Sequence, residues 1–105
     1  MNSQNEESVV TRIQIKGELT IFTAAELRHQ LLDALETGAK VEVDLSEVSE
    51  MDSAGMQLMV AAKREAGHRN LQLRFTGHSL AVVEQLELCG VSGHFGDPLL
   101  IQSAA

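Results

Sequence analysis

Val41-Glu-Val-Asp-Leu-Ser-Glu-Val-Ser-Glu-Met-Asp-Ser-Ala-Gly-Met56 is the stretch from which the fold is read. Its first five residues alternate: Val41, Val43 and Leu45 point one way, Glu42 and Asp44 the other. A period of two marks a strand with one buried face. The alternation then stops, and residues 46–52 read as a turn. At Ser53 an apolar run begins, with Ala54, Leu58, Ala61 and Ala62 at helical spacing, joined by Met56, Met59 and Val60. Gly67 is the natural stop, which predicts a helix over 53–66. A hydroxyl residue thus stands where a strand hands over to a helix, with an acid before it and Ala-Gly after it.

The same patterns extend outward. Toward the N-terminus, Val9, Thr11, Ile13 and Ile15 share one face of a strand that Gly17 closes. Leu19 to Phe22 is a short apolar connector. Thr23-Ala-Ala-Glu26 has capping-box spacing, and Leu27, Leu31, Ala34 and Leu35 follow at helical spacing up to a stop at Gly38. Toward the C-terminus, Leu71, Leu73 and Phe75 alternate with Gln72 and Arg74 as a third strand. Ser79 is placed to cap a third helix carrying Leu80, Val83 and Leu86 and ended by Gly90. Leu99-Leu100-Ile101, after Pro98, reads as a short edge strand. Strands alternating with helices predict an α/β domain with a small, mostly parallel sheet. The polar alternate residues of the strands predict helices mainly on one face. Residues 1–8 read as a disordered polar tail and residues 9–105 as one domain.

Composition narrows the function. The chain has 105 residues, three Phe, no Trp or Tyr and a formal charge of −7. Such an acidic chain lacks an electrostatic footprint for nucleic acid or anionic membrane and favours a protein partner with a basic face. Cys89 is the one cysteine, so no internal disulfide forms. There is no membrane-length apolar window and no signal-peptide pattern, so the expected location is cytoplasmic. His29, His68, His78 and His94 have no metal-ligand spacing and read as solvated side chains. Gly90-Val91-Ser92-Gly93 lacks nucleophile-elbow spacing and follows a helix instead of a strand. No glycine-rich loop has phosphate-binding spacing. The expectation is a protein with no cofactor, no metal and no catalytic site; a small hydrolase is the reading these absences disfavour.

Ser53 has two readings. Ser and Asp are both preferred helix N-caps, and either Asp52 or Ser53 can fill that role. Yet one helix needs one cap. If Asp52 caps, Ser53 is free at the first turn, at the carboxyl end of a sheet strand, where α/β sheets form functional crevices. Gly55 within that turn costs about 1 kcal/mol relative to alanine, and it leaves room for another backbone or a phosphate to approach. Leu19, Ile21 and Phe22 are candidates for an exposed partner-facing patch; equally, they form a hydrophobic staple before the first helix. Met51, Met56 and Met59 read mainly as core. Thr20 and Thr23 are alternative phosphate acceptors, with Thr23 better explained as a cap.

Asp44-Leu45-Ser46-x-Val48-x-x-Met51-Asp52-Ser53-Ala54-Gly55 resembles the signature of STAS domains of the anti-sigma factor antagonist family. The resemblance spans residues 9–101. Gly17-Glu18-Leu19 is similar to the family's Gly-Glu-Leu-Asp turn, with Thr20 in place of the aspartate, and the run from Val82 to Gly90 is similar to its third helix. The resemblance implies a small sheet with helices mostly on one side. It implies a partner-switching mechanism as well. The unmodified protein binds an anti-sigma factor that is also a serine kinase. Phosphorylation of Ser53 abolishes binding, and a PP2C-type phosphatase reverses it. The implied partner surface is Leu19, Thr20, Ile21, Phe22, Asp52, Ser53, Ala54, Gly55 and Met56. Other small STAS proteins imply an alternative, a constitutive adaptor in a chemotaxis-type signalling complex or a lipid-transport ABC complex.

Overall fold

The computed structural model describes residues 9–89. Along them run β1 (Val10–Leu19), α1 (Ala24–Glu36), β2 (Lys40–Met51), α2 (Ser53–His68), β3 (Leu73–Thr76) and α3 (Leu80–Leu88). The strands form a parallel sheet in the order β1-β2-β3. Because spatial order follows chain order, right-handed crossovers place α1 and α2 on the same side. The buried side chains agree. Ile15, Val41, Val43, Leu45, Leu73 and Phe75 meet Leu31 and Leu35 of α1, Leu58 and Met59 of α2, and Val82 and Leu86 of α3 in one cluster. Each such side chain contributes roughly 1.5–3 kcal/mol by leaving water. The opposite sheet face is polar. Arg12 Nε donates to Glu42 Oε1 at 3.3 Å, and Gln14 Nε2 donates to Asp44 Oδ2 at 3.1 Å. The expected α/β architecture with helices on one face is therefore the observed one.

Within the central stretch, residues 46–51 are strand instead of the expected turn. Pairing runs from Gln14↔Asp44 to Lys16↔Glu47, and again from Gly17↔Val48 to Glu18↔Glu50. At each step β2 carries one residue more than β1. Such bulges break the period of two, so buried Leu45 is followed on the core side by Val48, and the run imitates a turn. Asp44 secures the first bulge, its Oδ1 accepting from the Ser46 N–H at 2.9 Å. That bond is the main reason its carboxyl is held below the ordinary range, against the opposing effect of burial. Gly77, at φ +65°, passes so close that a Cβ there would lie 2.6 Å from Asp44 Oδ1. Gly17 likewise sits at an irregularity, at φ +84°, and β1 runs past it to Leu19.

Three local expectations are corrected. Thr23 does not form a capping box with Glu26: it makes no side-chain cap bond. Its hydroxyl instead donates to the Glu18 carbonyl at 2.9 Å and accepts from the Thr20 N–H at 3.0 Å. Gly67 does not end α2. The left-handed position falls on Asn70, φ 58°, with Asn70 N–H to the Gly67 carbonyl at 3.1 Å and Leu71 N–H to the Ala66 carbonyl at 2.9 Å. That is the paired closure of a Schellman ending, which asparagine tolerates. His78 is buried, not solvated. The expected tail, the stop at Gly90 and the edge strand 99–101 lie outside the described residues.

Candidate functional site

Asp52 joins two parts of the fold. As N-cap of α2, its Oδ1 accepts from the Gly55 N–H at 3.1 Å, and its Oδ2 accepts from the Ile21 N–H at 3.1 Å. Its main chain adds an N–H to the Leu19 carbonyl at 3.4 Å and a carbonyl accepting from Met56 N–H at 3.1 Å. The carboxyl is held below its usual range, mainly by the Ile21 N–H, with the Gly55 and Ala54 amides helping and burial opposing. An anion here also complements the positive end of the helix dipole. Ser53 is consequently surplus to capping. It is the first residue of α2 and exposed, and among the described residues its hydroxyl has no hydrogen-bond partner.

The residues expected to form a partner surface separate into two groups. Ile21 and Phe22 are 67% and 89% exposed, and the Asp52–Ile21 bond ties them to the Ser53 turn. Asp52, Ala54 and Met56 are half-buried at its edge. Leu19, Thr20 and Gly55 are instead buried. Leu19 packs inward as the last residue of β1. Thr20 is turned into its own loop, its Oγ1 donating to Glu18 Oε1 at 3.1 Å and accepting from Phe22 N–H at 3.3 Å. Gly55 does admit another backbone, but that backbone is the chain's own: a Cβ there would lie 2.1 Å from the Leu19 carbonyl oxygen. Met59 is core, and Met51 and Met56 pack against it.

Among the described residues there are two grooves to consider, of which the first adjoins this framework. One, of about 430 Å³, runs between the end of β2 and α3, with Glu50, Asp52 and Glu84 among its walls and Leu88 at its edge. The other, of about 210 Å³, lies between α1 and α2, with Arg28, Arg64 and His68 around a floor that includes Leu31 and Leu58. The α3 side of the first groove was missed from sequence. Its signal was present: Leu80, Glu84 and Leu88 recur every four residues on one face, and both leucines are largely exposed. Among the described residues no group of His, Cys, Asp and Glu is arranged to hold a metal, and no helix is long and apolar enough to cross a membrane.

Residues 2–102 match the family model described as "Mlab, STAS domain". The chain belongs to the STAS domain family. This STAS domain is similar to the anti-sigma-B factor antagonist of Bacillus subtilis (strain 168), 27% identical over 84% of this chain and 79% of the relative. It is 31% identical to the anti-sigma-B factor antagonist of Listeria monocytogenes, over 76% of this chain and 71% of that one. Among solved structures it is similar to a putative anti-sigma factor antagonist from Thermotoga maritima, with TM-score 0.71 and 20% identity over 88% of this chain and 77% of that one. A sulfate transporter family protein from Wolinella succinogenes gives TM-score 0.72 and 20% identity over 90% of this chain and 78% of the other. These structural likenesses establish the fold. In this STAS domain the two aspartates of the signature stretch, Asp44 and Asp52, are both backbone anchors, and Ser53 is exposed directly after the second of them.

Proposed function

We propose that this STAS domain is a cytoplasmic anti-sigma factor antagonist whose partner binding is switched by phosphorylation of Ser53. One observation carries the reading: Asp52 fills the cap, leaving an exposed, unengaged hydroxyl at a helix N-terminus beside Ile21 and Phe22. The names of the sequence relatives support the antagonist role. The partner is an anti-sigma factor that is also a serine kinase, and a PP2C-type phosphatase resets the cycle. The domain itself performs no catalysis.

The physics of the position suits a switch. A phosphate brings about −1.5 to −2 charges. The free amides and dipole of a helix N-terminus tolerate an anion, so the fold survives the modification. A partner seated on Ser53 has to strip water from that dianion next to the Asp52 carboxylate, and burying an uncompensated charge is costly. Binding is lost while the fold is kept. Incubation with the cognate anti-sigma kinase and ATP should add one phosphate at Ser53; mass mapping to Thr23, Ser49 or Ser79 would sink the assignment.

A second reading is a constitutive adaptor subunit of a chemotaxis-type signalling complex or a lipid-transport ABC complex. It is favoured by Thr20, which stands where the resembled turn has an aspartate and is buried in its own loop, offering a partner no charge there. Under this reading a Ser53→Asp variant binds its partner as the wild type does.

A further inference from the structure

The Ser53 turn is too small to hold a partner alone. Its largely exposed apolar side chains are Ile21 and Phe22, and a covered aromatic side chain contributes on the order of 150–250 Å². A stable complex covers about 800 Å² on each side. The remaining area has to come from adjoining surface, and one neighbour offers it. The groove that begins at Thr20 and Asp52 ends against α3 at Glu84 and Leu88. Leu80 continues the same helix face one turn from Glu84, and Leu80 and Leu88 are 67% and 81% exposed. The groove walls carry the carboxylates of Glu50, Asp52 and Glu84 and no cation.

We infer that the partner's footprint runs from Ile21 and Phe22 across this groove onto the outer face of α3, and that the partner segment lying there is basic and amphipathic. Its apolar side chains cover Leu80 and Leu88, and its cations lie over Glu50 and Glu84. The inference rests on the reading of the Ser53 turn as a partner surface and supplies the second half of that surface. It also separates two electrostatic tasks. Ser53 is not among the groove-lining residues, so the acids that attract the partner are distinct from the position where an added charge repels it.

The test is an NMR titration of the full ¹⁵N-labelled chain with a synthetic amphipathic helix of leucine and lysine, and with its leucine–glutamate counterpart as control. The basic peptide should shift the amides of Asp52, Ala81, Glu84 and Leu88, and the acidic one should not. The double variant Glu84→Lys, Leu88→Ser should weaken the basic peptide about tenfold while the melting temperature moves by less than about 4 °C, as for exposed substitutions. Shifts centred on the α1 acids Glu26 and Asp33, or unchanged affinity in the variant, would overturn the inference. A larger fall in melting temperature would do so too, because the chain's own residues would then cover the face. The switch is judged separately by Ser53→Asp against the cognate kinase. Loss of binding there with no peptide effect at α3 rejects the α3 surface alone, and the converse result rejects the switch alone.

Discussion

Two strand-to-helix junctions in this fold begin alike and end differently. At the entrance to α3, Ser79 is the cap, its hydroxyl accepting from the Val82 N–H at 3.3 Å, and the residue is buried. At the entrance to α2, Asp52 is the cap, accepting from Gly55 N–H at 3.1 Å. Both caps reach the third helical residue, and both second residues are alanine, Ala54 and Ala81. The first and third residues differ. After Ser79 they are Leu80 and buried Val82; after Asp52 they are exposed Ser53 and Gly55, which is pressed against the Leu19 backbone. A junction that only has to start a helix uses its serine as the cap. The junction at Asp52 gives the cap to an acid, lets that acid hold a second loop through Ile21, and leaves its serine with no structural task.

The contrast can be broken in order of size. Gly55→Ala should have the largest effect. Its Cβ would sit 2.1 Å from the Leu19 carbonyl oxygen, which backbone movement must relieve at a cost of about 3 kcal/mol, the upper range for overpacking; denaturant unfolding reads this, and a wild-type midpoint would refute the close approach. Ser79→Ala should cost about 1 kcal/mol as a lost cap, whereas Ser53→Ala should change stability by less than about 0.5 kcal/mol. Equal losses for the two serines would erase the distinction between the junctions.

Acid sharpens it further. Both Asp44 and Asp52 have carboxyls held below their usual range by backbone N–H groups. The unfolded chain therefore binds protons first, and stability falls as pH drops below about 4, the ordinary carboxylate value. It is fully present above that value and is lost as pH passes through the lowered folded values. Asp52→Asn should reduce this acid dependence and speed amide exchange at Ile21. Asp44→Asn should reduce it without touching Ile21. If neither variant alters the acid limb, the two anchors are not what the acid releases.

The parts of the fold that follow a simple period were legible. Val41, Val43 and Leu45 announced β2, Leu31 and Leu35 the inner face of α1, and Ser79 the cap of α3. What was hidden depends on pairing or on contact across the chain. Residues 46–51 look like a turn because two bulges interrupt the alternation, and only the register with β1 reveals a continuous strand. Thr23 has the spacing of a capping box, but its hydroxyl is claimed by Glu18 and Thr20, which the connector brings close. Gly67 is the residue expected to end a helix, yet Asn70 adopts the left-handed turn. Leu19 reads as connector and Gly55 as open space until the two are seen pressed together. The candidate site was half legible: Asp52 before Ser53 poses the question of which one caps, and only the bonds to Gly55 and Ile21 answer it.

The proposed switch requires Ser53 to be dispensable for folding and decisive for binding. Its most direct test measures the affinity of the cognate anti-sigma kinase for Ser53→Ala and Ser53→Asp, with thermal melts of both. The prediction is wild-type melting for both, retained binding for Ser53→Ala and at least about tenfold weaker binding for Ser53→Asp. Equal affinity of the two variants, both folded, would contradict it.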